Sequence, residues 1–359
     1  MRPMRFEIFM QPIHPPDENP TYALERDLDL IEHLDTFGYD AVWIGEHHTT
    51  GWETISSPAV FIAAAAARTS RIKLGSGIVP LSIHHPFMVA NDYVLLDHLT
   101  RGRAMLGVGP GGGLPSDSYA FGLDRETQNR RYLERFDAMM QLFETEEPFT
   151  VEGEGFVMHE GVLQLRPFTY PRMPIAIVTG SNPESLARIG RHGLRWLAGT
   201  SADRFDASWE QIETAAASVG RSADRHDATL AVHMHIAPTR EEAIEQVRDG
   251  TARERFEFSS PIGAQPLPDM DRSDWVEHFA AMPNVCIGSP EDAVSFLSNI
   301  REVTGAGGVL ISSKEWAGPQ GARDSFELIA RYVMPHMQGS LVGLKAAEAV
   351  ATKTAPLVS

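Results

Sequence analysis

Short apolar runs alternate with longer stretches of helical period along almost the whole chain, and few architectures accommodate that alternation. Runs at 5–10, 41–44, 72–78, 104–108, 175–178, 194–198, 228–236 and 309–311 read as strands. They are too short for helices, and the run ending at Ile44 is apolar throughout, as in a sheet covered on both faces. Between them lie amphipathic segments. Residues 22–37 carry Leu24, Leu28, Ile31, Leu34 and Phe37 on one helical face, and comparable segments follow at 59–69, 86–99, 127–143, 183–191, 203–219, 240–258, 290–303 and 324–334. Strand followed by helix implies parallel pairing with right-handed crossovers, and about eight such units is the count of a closed barrel. The expected fold is α/β, a (β/α)8 TIM barrel with insertions, forming one domain over 1–340. Alternation around Gly153 and Gly155 predicts a hairpin at 149–165, and the proline-rich stretch 259–285 reads as a lid. Residues 341–359 show no pattern that would find a partner and read as an unanchored tail.

The chain is 359 residues long with a formal charge of −17, which argues against nucleic acid or an anionic membrane surface as partner. It contains no run of about 18 apolar residues and no signal-peptide order at its amino terminus. Its single cysteine, Cys286, cannot form an internal disulfide, which fits a reducing, cytoplasmic setting.

In a barrel of parallel strands the side chains just beyond the carboxyl ends face the active-site mouth. Directly past the strand 41–44 come Gly45, Glu46, His47 and His48, an acid and two imidazoles able to exchange protons near neutral pH. They either cap a loop or carry chemistry. Gly109 to Gly113 follow the fourth strand, where they permit a sharp turn or a close backbone approach to a flat ring. Thr179, Gly180 and Ser181, between the fifth strand and a helix start at Pro183, offer hydroxyls and backbone N–H groups to a phosphate, or serve as a plain cap. No Gly-x-Gly-x-x-Gly that leads from a strand straight into a helix, with the acid of a nicotinamide domain about 20 residues on, is present, so a built-in nicotinamide domain is not expected. A metal-dependent hydrolase on the same barrel is the competing class, since His233 and His235 share a strand face and Glu46, His47, His48, His84 and His85 add ligand types. The expectation is no metal, because His-x-His on a strand is more often a packed or hydrogen-bonded pair.

Several stretches resemble the bacterial luciferase family of flavin-dependent monooxygenases. They are Met4-Arg5-Phe6, Trp43 to His48, Leu96 to Arg103 with Leu106-Gly107-Val108-Gly109, and Met334-Pro335, in the family's order. Within it, Gly45-Glu46-His47 with Trp52 to Ile55, Leu106 to Gly112, and Ile177 to Gly180 are most similar to the diketocamphane (type II Baeyer–Villiger) oxygenating subunits and to limonene monooxygenase-like members. The resemblance implies a barrel that takes reduced FMN from a separate flavin reductase and uses dioxygen on a hydrophobic ketone, aldehyde or terpenoid, Baeyer–Villiger oxidation being favoured. A deazaflavin-dependent oxidoreductase of the same superfamily is the sister reading, and a flavin-binding relative without turnover is a third.

Residue by residue, His47 matches the catalytic imidazole that manages protons at the oxygenated flavin, and Glu46 orients that loop or meets the cofactor. Gly77 and Ile78 fall where the family often has a strained, sometimes cis, peptide under the ring. Gly109 stands where luciferase has a reactive cysteine, so light emission is not implied and room opens above the ring. Val178, Thr179, Gly180 and Ser181, with Arg131 (Arg130 being the alternative) from the long helix, match the remaining cofactor contacts. The resemblance also implies a homodimer, with the alanine-rich helix over 59–67 as its interface.

Overall fold

Eight parallel strands close on themselves in the computed structural model, which describes residues 2–11, 13–199 and 201–354. In chain order the strands are β1 (Arg5–Met10), β2 (Ala41–Ile44), β3 (Lys73–Ser76), β4 (Val79–Pro80), β5 (Ala104–Gly109), β6 (Phe149–Gly153), β7 (Phe156–Gly161), β8 (Ile175–Thr179), β9 (Arg195–Ala198), β10 (Ala228–Ile236), β11 (Val285–Gly288) and β12 (Gly308–Ser313). The circuit runs β12–β1–β2–β3–β5–β8–β9–β10 and returns to β12, every pair parallel. These are the eight strands the apolar runs predict.

The helices are α1 (Pro20–Phe37), α2 (Pro58–Arg68), α3 (Pro86–Thr100), α4 (Pro115–Ala120), α5 (Arg125–Glu144), α6 (Pro183–His192), α7 (Phe205–Ala217), α8 (Arg240–Arg253), α9 (Trp275–Ala280), α10 (Pro290–Thr304), α11 (Gly318–Leu328), α12 (Met334–Gln338) and α13 (Val342–Thr354). Many begin with proline in the first turn, where the missing N–H costs nothing.

Trp43 fills the lumen. It packs with Ala41, Met105, Ala176, Leu197 and Leu310, and a Cβ at position 75 would come within 2.6 Å of its ring. Gly75, the register partner of Trp43 on the neighbouring strand β3, is therefore a packing requirement of the tryptophan. The indole N–H donates to buried Glu7 at 2.7 Å, and Arg195 lies 5.5 Å above the same ring. Burial works against the Glu7 charge, but Arg195 and Arg5 more than compensate and hold it below the ordinary carboxylate range. The lumen is thus a packed plug, and any ligand must sit above it.

Three elements depart from the sequence reading. β11 continues the sheet outside the barrel by pairing with the far end of β10, His233 opposite Val285. Four residues beside a proline-rich stretch carry too little pattern to reveal it. The 259–285 segment contains α9 and packs down through Trp275 and Val276, both buried next to buried Phe258 at its start, while Leu267 stays exposed. The tail forms α13, whose Ala, Leu, Lys and Glu content favours helix without a tertiary partner pattern. Residues 355–359 of the expected tail lie outside the described residues. The expected hairpin is β6–β7, antiparallel with a bulge between Phe149 and Val151.

Candidate functional site

A cavity of about 260 Å³ opens at the carboxyl ends of four neighbouring barrel strands, β2, β3, β5 and β8. One strand's end contributes Glu46, His47 and His48, the next Gly77 and Ile78, the third Pro110 to Gly113, and the last Val178. Two of its walls are therefore largely backbone. The Gly77–Ile78 peptide is cis, and Gly111 and Gly112 adopt φ of 77° and 81°, a region open to glycine. A Cβ on Gly109 would lie 2.8 Å from Ile78 Cδ1, and one on Gly112 would strike the Gln128 amide at 2.6 Å. Side chains at these positions would fill the slot.

His47 is held from both sides. Its Nδ1 lies 2.9 Å from Asp117 Oδ2, and its Nε2 lies 3.4 Å from Glu53 Oε2. Asp117 also accepts from the His48 backbone N–H at 3.1 Å and from Thr49 Oγ1 at 2.6 Å. Burial opposes its charge, but the hydrogen bonds from Thr49 and His47 keep its carboxyl below the usual range. Glu53 is the opposite case, because burial raises it and His47, Lys314 and Gln11 only partly offset the effect. Glu46 is buried too, yet one of its oxygens is shared by His48 Nε2 at 3.0 Å and His84 Nε2. These three donors lie within 4.8 Å of one another, a spacing a small cation can use. The two imidazoles already satisfy the carboxylate without one.

Glu46, His47, Gly77, Ile78 and Val178 thus line one cavity, with Gly109 immediately beside it at the end of β5. Arg131, Thr179, Gly180 and Ser181 are not in its wall. The Arg131 Nε donates to Glu154 at 3.1 Å, on the hairpin. Thr179 is buried, and its Oγ1 accepts from the Asn182 N–H at 3.3 Å. Gly180 O accepts from Ser208 Oγ at 3.3 Å, and Ser181 is exposed before α6, whose start Asn182 caps through Ser185 N–H. His233 and His235 sit apart from the Glu46 cluster. His235 pairs with Gln246 at 2.8 Å, and burial lowers His233 to about 4, leaving it neutral.

The 259–285 segment does not reach the His47 cavity. It covers a second cavity of about 330 Å³ lined by His233, Trp275, Phe279 and Trp316.

Sequence reasoning missed Asp117, Glu53, Ser82 and Arg135. Asp117 rides on α4, six residues long and without a buried side chain, so it shows no amphipathic period. Arg135 is buried and its guanidinium donates to the carbonyls of Leu81 and Ser82 and, across the hairpin, of Glu154 and Gly155. That fixes the Ser82 loop against the cavity. The Ser82 hydroxyl, on a residue 1 % exposed, has no hydrogen-bond partner among the described residues. A buried orphan hydroxyl in a cavity wall is the mark of a site shaped for a polar edge. A backbone-walled slot, an unpaired hydroxyl and an imidazole between two carboxylates together suit a flat heteroaromatic ring whose reaction needs protons moved.

A family profile described as luciferase-like monooxygenase matches residues 4–307. The 4-hydroxyprotoasukamycin monooxygenase of Streptomyces nodosus subsp. asukaensis is 39% identical over 357 residues, spanning 96% of this chain and 95% of its own. Limonene 1,2-monooxygenase of Rhodococcus erythropolis is 37% identical over 343 residues, 94% of this chain and 87% of its own. Among solved structures, the oxygenating constituent of 3,6-diketocamphane monooxygenase from Pseudomonas putida, in complex with FMN, is similar in fold. Its TM-score is 0.77 at 23% identity, covering 93% of this chain and 98% of that one. The family that the sequence motifs resemble is the one matched, over most of the chain and across the whole candidate site: the protein belongs to the luciferase-like monooxygenases.

Proposed function

We propose that this chain is the oxygenating component of a two-component monooxygenase that receives reduced FMN from a separate flavin reductase. The substrate is a hydrophobic ketone, aldehyde or terpenoid, and Baeyer–Villiger insertion is the favoured outcome. The observation that carries the reading is His47, set between Asp117 and Glu53 at the mouth of a slot walled by glycine backbone. Reduced FMN, when bound, supplies the two electrons and the oxygen-activating ring, so that one oxygen atom enters product and the other leaves as water.

The chain's own residues bind, orient and move protons. Gly77 and Ile78 wall the space for the ring plane, Gly109 leaves it unfilled, and the orphan Ser82 hydroxyl meets a polar edge of it. Thr179, Gly180 and Ser181 lead into α6 and hold the phosphate, with Arg131 as its cation. Gln128 lines the slot, and Arg131 lies three residues on along the same helix, a spacing that supports it as the phosphate's cation. Glu46, braced by His48 and His84, fixes the loop that presents His47. Nε2 of His47 takes up and returns a proton at the reacting oxygens.

Two further features complete the proposal. Val60 on α2 and Met88, Leu95 and Leu99 on α3 are exposed at 72%, 55%, 48% and 60%, and these two helices pack together. An apolar face of this kind supports a homodimer through α2 and α3. No described helix is long and apolar enough to cross a membrane, and the free Cys286 is buried, in keeping with a cytoplasmic location.

Turnover under isotopically labelled dioxygen tests the reading, with reduced FMN from an unrelated flavin reductase and a panel of cyclic ketones and monoterpenes. One labelled oxygen atom per product molecule is expected. Flavin reoxidation that yields only hydrogen peroxide across the panel, together with hydride transfer to or from a deazaflavin, would replace it with the oxidoreductase reading.

A further inference from the structure

Three carboxylates surround the His47–His48 loop, and they are not equivalent. Asp117 takes hydrogen bonds from His47, the His48 N–H and Thr49. Glu46 is shared by two imidazoles. Glu53 is 5 % exposed, and among the described residues neither of its oxygens has a hydrogen bond of good geometry, the Gln11 amide making only a weak one. It faces His47 Nε2 at 3.4 Å, with Gln11 and Lys314 also close enough to influence it and Asp117 beyond the imidazole. A buried carboxylate with saturated bonding keeps its charge, whereas a bare one takes a proton.

We propose that Glu53 holds a proton at rest and passes it to Nε2 of His47, so that Asp117, His47 and Glu53 form a relay delivering one proton at a time into the cavity. The inference rests on the function proposed above, in which His47 moves protons at the reacting oxygens. In the step, the O–H bond of Glu53 breaks and an N–H bond forms at Nε2. The imidazolium that results is stabilised through Nδ1 by the Asp117 carboxylate, 2.9 Å away. The carboxylate left on Glu53 faces the Lys314 ammonium, whose Nζ is tethered to Gln11 at 3.2 Å and lies 3.3 Å from Glu254. The charges then alternate along the chain of groups: Asp117 negative, His47 positive, Glu53 negative, Lys314 positive. Nε2 next gives its proton to the cavity occupant, and Glu53 regains one from water when product leaves. Glu53 acts through His47 and is a positioning residue, while His47 meets the reacting atoms.

The test joins infrared spectroscopy of the flavin-free protein to kinetics of Glu53→Gln and Glu53→Asp. At neutral pH the wild type should show the carbonyl stretch of a buried protonated carboxyl, and Glu53→Gln should remove it. Glu53→Gln should bind reduced FMN within about twofold of wild type yet lose about tenfold in product formed per oxygen consumed, the difference appearing as hydrogen peroxide. Its coupling should no longer fall as pH rises, and Glu53→Asp should restore part of that dependence. No carboxyl band lost in Glu53→Gln, or unchanged coupling and pH profile, would overturn the relay. A wild type that never oxygenates with reduced FMN would defeat the functional reading instead, and the infrared band would still decide where the proton sits.

Discussion

His47 has carboxylates at both ring nitrogens, one favoured as the anion and one favoured as the acid. Pairs of groups whose surroundings push them apart in this way are the usual arrangement for acid–base work. His47→Ala should keep reduced-FMN affinity near wild type but lower product formation about 100-fold and release the oxygen as peroxide. Unchanged coupling in an oxygen-uptake assay with catalase would remove His47 from the mechanism. Glu53 also makes a stability prediction. Its pKa is raised in the folded state, so between the unfolded value of about 4.3 and the folded value the native protein holds the extra proton. Stability therefore falls as pH rises through that window. Glu53→Gln lacks the loss and should be more stable than wild type at pH 8, with the gain vanishing near pH 4 in parallel urea titrations. An equal difference at both pH values would contradict it. Glu46, His47 and Gly77 were legible because each follows an apolar strand in a recognisable order. Glu53 and Asp117 were not, since an acid in a loop is ordinary until the fold shows it buried.

At the scale of elements, α5 organises one side of the cavity by presenting successive turns to different partners. Gln128 faces the slot, Arg131 pairs with Glu154, and Arg135 ties the Leu81–Ser82 backbone to the hairpin. The helical period over 127–143 was plain in the sequence, but it could not tell which arginine is buried and which pairs with the hairpin. That depends on where β6–β7 lands. If Arg131 is the phosphate's cation, Arg131→Ala should weaken FMN about tenfold and leave riboflavin unchanged, because only FMN carries the phosphate. Equal losses in fluorescence titrations of the two flavins would mean that the substitution acts through Glu154 and the hairpin. Short elements escaped the sequence reading for one reason: α4, α9 and β11 are four to six residues long, too short for a period to repeat.

For the whole molecule, the barrel was the most legible feature, because eight repeats of one pattern reinforce each other while any single four-residue strand is ambiguous. What stayed hidden was how the excursions fold back, since the 259–285 segment uses its aromatic residues to cover a separate cavity rather than the His47 slot. The exposed apolar residues of α2 and α3 predict association at this scale too. Leu95→Glu should convert a homodimer to a monomer in light scattering behind size exclusion, through a charge placed in an interface of roughly 800 Å² per partner. An unchanged mass would move the interface elsewhere. The slot above Trp43 is proposed to hold a reduced flavin. Anaerobic titration of the protein with photoreduced FMN, followed by admission of oxygen, tests it most directly. Saturable one-to-one binding is expected, weakened when a side chain is placed in the slot by Gly109→Val, with reoxidation slower than for free flavin. No binding of reduced FMN by the wild type, or binding indifferent to Gly109→Val, would contradict it.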